Sequence, residues 1–214
     1  MKYGALFDLD GTLIDSESQY TQFWSAMDVL YPTGVDNFAM VIKGSTLPKI
    51  LDTYFPDPTY QADIRQRLAD FENNMQLPMY PGVPQLLRDL RAAGWMLAVV
   101  TSSNPAKMAV VRRHNPGFDS MFDTIVTDAD VTRSKPDPQG YQLAAGRLGC
   151  RPDCCAVFED SINGLEAGRR SGAKVVGIAT TNSRERIAPL SDIVVDLTAD
   201  ATPAMLAALW PAVR

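Results

Sequence analysis

Cysteine and histidine are scarce in this sequence. Its 214 residues include three cysteines and a single histidine. The cysteines Cys150, Cys154 and Cys155 do not form a disulfide framework, because the adjacent Cys154 and Cys155 would be strained if they paired. A structural zinc site usually has four ligands, and three clustered cysteines with a distant His114 fall short of that number. We therefore predict free thiols in a reducing cytoplasm, with Cys155 opening a buried strand.

Long apolar runs and an excess of basic residues are also missing. No apolar run reaches the roughly 20 residues that span a bilayer. The opening segment MKYGALFDLDG lacks the basic, apolar and small-residue order of a secretory signal. The 20 basic side chains are outnumbered by 25 acidic ones, whereas a protein that binds nucleic acid irrespective of sequence needs a basic surface. We therefore expect no membrane or nucleic-acid partner, and a monomer in the cytoplasm.

Short apolar strands alternate with helical segments along most of the chain. This alternation predicts an α/β fold, with a Rossmann-like parallel sheet covered by helices on both faces. The predicted strands are residues 3–7, 96–100, 124–127, 156–159, 174–178 and 193–195. The predicted helices of this core are residues 84–93, 138–148, 162–171 and 203–209.

The segment after the first strand has a different pattern. Apolar residues recur there at a spacing close to 3.6, which predicts helices. They are Tyr20, Phe23, Trp24, Met27 and Leu30, and then Ile64, Leu68, Phe71 and Met75. We predict a small helical cap domain over residues 16–80, inserted between residues 1–15 and 81–214 of the core. Its first aromatic residues either form the core of the cap or line a substrate pocket, and both interpretations stay open.

Polar residues follow the predicted strands at their carboxyl ends, where ligands bind in open α/β sheets. Asp8 and Asp10 follow the first strand, and residues two apart in an extended segment point to the same side. Gly11 permits a tight turn away from them. The later strand ends carry hydroxyl groups at Thr101, Ser102 and Ser103, the ammonium group of Lys135, and the carboxylates of Glu159 and Asp160.

This set of side chains predicts phosphoryl transfer. So many carboxylates cannot converge undisturbed in a cleft of low dielectric constant, and a bound cation would resolve the conflict. Oxygen ligands without a histidine favour Mg²⁺. Lys135 and the Thr101, Ser102 and Ser103 donors would stabilise phosphate oxygens. Asp8 could then attack phosphorus to form an aspartyl phosphate, while Asp10 moves protons as general acid and base.

The same motifs resemble the four signatures of the haloacid dehalogenase superfamily, in the family's order and over essentially the whole chain. Residues 7–16, FDLDGTLIDS, resemble the first signature, and Thr101 resembles the second. The third corresponds to Lys135-Pro136, and the fourth to Glu159, Asp160 and Ser161 with Gly164, Ala167 and Gly168. Within this superfamily the chain is similar to the phosphatases near β-phosphoglucomutase, which carry a small helical cap between the first two signatures.

The resemblance implies a role for each of these residues. Asp8 would be the nucleophile and Asp10 the acid and base. Mg²⁺ would be held by Asp8, the backbone carbonyl of Asp10 and Asp160, with Glu159 as a direct or water-mediated ligand. An aspartate at position 10 is expected of phosphatases and mutases rather than of dehalogenases. Lys43, in a Lys-Gly-Ser sequence, resembles a cap-loop residue that reaches the substrate, although a solvated glycine turn explains it equally well.

Three functions remain to be compared. The first is a Mg²⁺-dependent phosphatase acting on a small phosphorylated metabolite such as a sugar or polyol phosphate. The second is a phosphomutase, which needs cations for the phosphate that is not reacting; Leu47 and Asn104 stand where the resembling mutase has an arginine and a lysine. The third is a phospho-accepting receiver module, in which an aspartate like Asp10 would hasten loss of the phosphoryl group and defeat the signal. We therefore predict hydrolysis.

Overall fold

Short apolar segments form a parallel sheet at the centre of the fold. The computed structural model describes residues 2–42 and 47–210. Six strands lie within the described residues, in the order β3-β2-β1-β4-β5-β6, and all neighbouring pairs are parallel. They are β1 (Gly4–Phe7), β2 (Met96–Val100), β3 (Thr124–Val126), β4 (Cys155–Glu159), β5 (Lys174–Ile178) and β6 (Ile193–Val195). The predicted α/β class is confirmed, and the predicted strand ends agree within one residue.

β1 lies in the middle of the sheet because it is apolar and buried along its whole length. It pairs with β2 on one side and β4 on the other, and Phe7 stacks on Phe158 with ring centroids 4.3 Å apart. The chain order reverses on the two sides of β1, which makes its carboxyl end the place where ligands bind in such sheets. The residue that follows Phe7 therefore lies at this ligand-binding edge of the sheet.

Helices follow the strands and make up the inserted segment. In chain order they are α1 (Glu17–Leu30), α2 (Phe38–Val41), α3 (Leu47–Tyr54), α4 (Pro58–Asn74), α5 (Val83–Ala92), α6 (Pro105–His114), α7 (Gln139–Leu148), α8 (Ile162–Ser171), α9 (Arg184–Ile187) and α10 (Pro203–Ala207). Gly149 and Gly172 end α7 and α8 in the left-handed region, which glycine adopts most readily. In the part of the chain that the structure describes, no helix combines the length and the apolar character needed to cross a bilayer.

Two compact units divide the chain, Met1–Asp15 with Leu77–Arg214 and Ser16–Gln76. The predicted return to the core at residue 81 is four residues late. The backbone N–H of Tyr80 donates to the Leu13 carbonyl (2.9 Å), and the N–H of Asp15 donates to that of Pro78 (3.3 Å). These bonds tie the returning segment to the core before residue 81.

The helical unit has its own apolar core. Phe23, Trp24 and Met27 of α1 are buried in it, and Tyr20 packs against it. The aromatic residues at the start of the insertion therefore form the core of the cap, as one of the two interpretations proposed. Leu30 departs from the predicted face: it is the last residue of α1, lies beyond this cluster, and is 47% exposed.

The three cysteines are buried and free, as predicted. Cys155 is the first residue of β4 and has no exposed surface. The Cys155 Sγ lies where a side chain at Gly4 of the neighbouring strand would have to fit, so a Cβ at that glycine would approach it to 2.9 Å. These thiols belong to the packing of the sheet.

Candidate active site

Asp8 follows β1 directly and is held at the centre of the sheet edge. Its backbone N–H donates to the carbonyl oxygen of Phe158 on β4, at 2.9 Å. This bond extends the strand pairing by one residue, so the side chain emerges where the sheet's strand order reverses. The Asp8 side chain is buried, and its Oδ1 accepts a hydrogen bond from Lys135 Nζ.

Lys135 joins three strand ends. Its Nζ donates to Asp8 Oδ1, to Glu159 Oε1 (2.6 Å) and to the carbonyl oxygen of Val100 at the end of β2 (3.1 Å). The ammonium group also lies 5.1 Å from the ring centre of Tyr141. Because the Lys135 side chain is only 13% exposed, these contacts hold its charge inside the site rather than in solvent.

Glu159 is surrounded by hydrogen-bond donors. Its Oε1 accepts from Lys135 and from the hydroxyl group of Tyr141 (3.0 Å). Its Oε2 accepts from the backbone N–H of Asp160 and from the N–H and hydroxyl of Ser161, each at 3.0 Å. A Cβ at Gly164 would overlap this carboxylate, so only glycine leaves room for it there. The contacts show that Glu159 shapes the loop after β4; its role as a metal ligand stays a prediction.

Asp160 is held against the first loop. The Thr12 hydroxyl donates to Asp160 Oδ1 at 3.2 Å, and the side-chain amide of Asn182 donates to the Asp160 carbonyl at 2.9 Å. Gly11 has a φ of +75°, and a Cβ at this position would also run into the Asp160 carboxylate. The glycine of the first motif is therefore required both for its turn and for this close approach.

The carboxylates of Asp8, Glu159 and Asp160 form a buried cluster that fits a cation. One oxygen from each lies within 4.8 Å of the others. Burial raises the pKa of Asp8 to about 8, and the charges of Glu159 and Asp10 add to the increase while Lys135 opposes it. Burial lowers the pKa of Lys135, but Asp8 and Glu159 outweigh it and bring the pKa well above its ordinary value. Among the described residues, the Lys135 ammonium group contacts Asp8 and Glu159, and a hard cation is the natural complement to the three clustered carboxylates.

The Asp10 carboxylate points to a different set of partners. Its Oδ2 accepts from the Ser103 hydroxyl at 3.0 Å, and its Oδ1 lies 2.6 Å from Lys107 Nζ. The two aspartates of the first motif therefore separate, Asp8 toward the acidic cluster and Asp10 toward the start of α6. The expected contribution of Asp10 to a metal through its backbone carbonyl stays a prediction.

The predicted phosphate contacts after β2 differ in their surroundings. Thr101 is buried, and its Oγ1 accepts from the Ser103 N–H at 3.0 Å. Ser102 is exposed, whereas the Ser103 hydroxyl is engaged by Asp10. Asn104 caps α6, accepting from the Lys107 N–H at 2.9 Å. Lys43 lies outside the described residues.

Sequence reasoning missed several side chains that support the site. Lys107 and Tyr141 lie inside helices, and only their contacts with Asp10 and Glu159 reveal them. Thr180 donates to the Gly11 carbonyl at 2.6 Å, and Asn182 holds the Asp160 carbonyl. The last two follow β5, so the rule that led to the other strand ends would also have found them.

The helical unit has a cavity of its own, of about 210 Å³. Tyr20 and Trp24 line it together with the carboxylate residues Glu17 and Glu72. The Tyr20 hydroxyl donates to Glu72 Oε1 at 2.9 Å. The two aromatic residues thus serve both interpretations of the sequence, because they pack in the cap core and also border a pocket.

Comparisons with known proteins agree with this geometry. The chain is 30% identical over 211 residues to validoxylamine A 7′-phosphate phosphatase from Streptomyces hygroscopicus subsp. limoneus, with 91% of this chain and 93% of that protein covered. It is 32% identical over 181 residues to hexitol phosphatase A from Escherichia coli K12, with 82% of each covered.

The fold is also that of a solved β-phosphoglucomutase from Clostridium difficile. The TM-score is 0.72 at 20% identity, and the match covers 97% of this chain and 96% of that one. The family model described as haloacid dehalogenase-like hydrolase matches residues 4–172, which is more than half of the chain. The protein therefore belongs to the haloacid dehalogenase-like hydrolases, as its four signatures indicated.

Proposed function

We propose that this protein is a Mg²⁺-dependent phosphatase that hydrolyses a small sugar or polyol phosphate through an aspartyl-phosphate intermediate on Asp8. The observation that carries the proposal is the position of Asp8. It lies at the reversal point of the sheet, hydrogen-bonded to Lys135 and clustered with Glu159 and Asp160. Such a site positions a nucleophile and neutralises charge, which is most of what phosphoryl transfer requires.

In the first half of the reaction Asp8 attacks phosphorus and the ester oxygen leaves. Lys135 holds the attacking carboxylate and lies close enough to balance charge on the transferring group. A Mg²⁺ ion held by Asp8, the Asp10 carbonyl and Asp160 would supply further positive charge against the phosphoryl oxygens. Glu159 is a possible fourth ligand, and its contacts with Lys135 and the β4 loop keep both in place. Thr101 and Ser102, at the end of β2, are proposed to bind phosphate oxygens.

Asp10 handles the protons in both halves. It gives a proton to the leaving ester oxygen, and it takes one from the water that attacks the aspartyl phosphate. Its contacts with Ser103 and Lys107 hold its carboxylate in one orientation beside the acidic cluster.

The substrate class is proposed from the relatives. Two of them are named for validoxylamine A 7′-phosphate and for hexitols, and we propose a small phosphorylated metabolite of the same kind, a sugar or polyol phosphate.

A phosphomutase remains the second candidate because of Lys107. Asn104 is not a lysine, yet Lys107, one helical turn later, brings an ammonium group to the same region. One of the two missing cations is thus replaced, although Lys107 is paired with Asp10. We favour hydrolysis, and we keep the prediction of a cytoplasmic monomer without a membrane or nucleic-acid partner.

The deciding experiment is a phosphate-release screen with Mg²⁺. Hexose phosphates, hexitol phosphates, validoxylamine A 7′-phosphate, pyrophosphate and an aryl phosphate are compared, with Asp8→Asn as the control. We expect release from the polyol or sugar esters. Incubation with β-glucose 1-phosphate and a bisphosphate activator tests the mutase, since faster formation of glucose 6-phosphate than of free phosphate would favour that candidate instead.

A further inference from the structure

Lys107 and Asp10 form a half-buried ion pair at the start of α6. The Nζ–Oδ1 distance is 2.6 Å, and the two side chains are 18% and 26% exposed. The Ser103 hydroxyl donates to the other carboxylate oxygen at 3.0 Å. Both oxygens of Asp10 are therefore engaged by donors from one short segment, which fixes the plane and direction of the carboxylate.

The backbone holds Lys107 where it can make this contact. Asn104 is the N-cap of α6, and its side chain accepts from the Lys107 N–H at 2.9 Å, while Pro105 occupies the first turn. The Lys107 side chain thus projects from the first turn of a capped helix and not from a mobile loop. An ammonium group anchored in this way can hold a partner in one orientation at a lower entropic cost than a flexible surface lysine.

We propose that Lys107 is a positioning residue for Asp10 in the second half of the reaction, the hydrolysis of the aspartyl phosphate. This inference rests on the proposed function. The ion pair and the Ser103 hydrogen bond hold the Asp10 carboxylate in one orientation. Lys107 acts through Asp10 and is not placed in contact with the substrate.

Hydrolysis of the aspartyl phosphate depends on this orientation, and it forms one bond to phosphorus while another breaks. The oxygen of a water molecule forms a bond to phosphorus, and the bond between phosphorus and the Asp8 oxygen breaks. One proton of the water passes to the Asp10 carboxylate. The products are inorganic phosphate and the free Asp8 carboxylate, and Asp10 returns its proton to solvent or to the next leaving group.

Lys107→Met removes the charge and keeps most of the side-chain length. We expect kcat to fall about tenfold, a part of the effect that a well-placed general base provides. The substrate for this test is the aryl phosphate, whose leaving group departs without a proton from Asp10. KM should fall with kcat, so that kcat/KM stays within about twofold, because that ratio reports only the steps up to departure of the leaving group. Rapid mixing should show a burst of released alcohol, and intact mass after acid quenching should show a phosphorylated enzyme. Lys107→Arg should restore much of kcat.

Lys174→Met is the matched control. Lys174 lies on β5 and pairs with Asp192 at 3.5 Å, and none of the contacts described for the candidate site involves it. We expect this variant to keep both kinetic constants, and thermal unfolding of all three variants shows whether they are folded.

Several results would overturn the inference. An increase in KM at unchanged kcat would make Lys107 a substrate-binding residue, and equal losses of kcat and kcat/KM without a trapped intermediate would place its effect in the first half. Unchanged kinetics in Lys107→Met would show that Lys107 does not position Asp10 for the reaction. Failure of the proposed function is distinguishable, because the unmutated protein would then release phosphate from no ester in the panel.

Discussion

Lys135 donates a hydrogen bond to Asp8 although 127 residues separate them in the chain. The pairing joins the first strand end to the loop after β3, and through Glu159 it extends to the end of β4. A nucleophile and the cation that faces it are thus held by three strands of one sheet. This rigidity is what a site needs when catalysis depends on position and charge.

Removing divalent metal should abolish turnover. One carboxylate oxygen each of the buried residues Asp8, Glu159 and Asp160 lies within 4.8 Å of the others, so we expect their function to depend on added positive charge. We expect no phosphate release in excess chelator and full recovery when Mg²⁺ is returned, measured by a phosphate assay. Full activity in chelator would rule out a metal-dependent site.

Asp8→Asn should remove activity without unfolding the protein. An amide cannot attack phosphorus, so the loss of kcat should reach at least about a thousandfold, as for other nucleophiles. Because the substitution relieves the crowding of carboxylates, the metal-free variant should melt no lower than the metal-free wild type. Turnover at a tenth of the wild-type rate would be incompatible with Asp8 as the nucleophile.

Without metal, the folded protein should lose stability as the pH rises. The pKa of Asp8 is about 8 in the folded state and about 4 in an unfolded chain, so between these values the folded state keeps a proton that the unfolded state has released. The stabilisation is complete below pH 4 and lost above pH 8, with a slope of at most about 1.4 kcal/mol per pH unit.

Urea unfolding in chelator from pH 5 to pH 8 measures this effect. Asp8→Asn is the control, because it lacks the proton. The free energy of unfolding of the variant, minus that of the wild type, should increase as the pH rises. A decrease in this difference with rising pH would contradict a raised Asp8 pKa.

Gly164→Ala and Gly146→Ala form a matched pair. Both glycines lie inside helices, α8 and α7, but a Cβ at Gly164 would overlap the Glu159 carboxylate, whereas nothing lies within 4 Å of one at Gly146. We expect Gly164→Ala to displace Glu159 and lower kcat/KM about tenfold or more. Gly146→Ala should keep activity and raise the free energy of unfolding by about 0.5–1 kcal/mol. Wild-type activity in Gly164→Ala would show that the Glu159 position is unimportant.

Tyr141→Phe should destabilise the protein more than Tyr31→Phe. The Tyr141 hydroxyl is buried and bonds to the buried Glu159 carboxylate, a bond to a charged group worth about 1.5–3 kcal/mol. Tyr31 donates to Asp63, which is 36% exposed, and solvent screening there makes the loss of the Tyr31 hydroxyl the smaller of the two. Urea unfolding at a fixed Mg²⁺ concentration compares them. Equal losses would argue against a special role for the Glu159 network.

The convergence of Asp8, Lys135, Glu159 and Asp160 was predictable. Apolar runs identified the strands, and the parallel arrangement places all their carboxyl ends on one edge of the sheet. The ends of α7 and α8 at residues 148 and 171 were also predicted, and a left-handed glycine follows each of them. The boundary of the helical unit was less predictable, because bonds between residues 13–15 and 78–80 decide it.

Strand pattern and spacing were thus sufficient to say which residues meet, but not how their side chains pair. The alternation rule put Asp8 and Asp10 on one side, and the structure turns the Asp10 carboxylate toward Ser103 and Lys107 instead. Residue spacing determines backbone position, whereas the direction of a side chain depends on donors that the tertiary fold brings from elsewhere. Lys107 lies 97 residues from Asp10, so their ion pair exists only once β1 and β2 lie side by side.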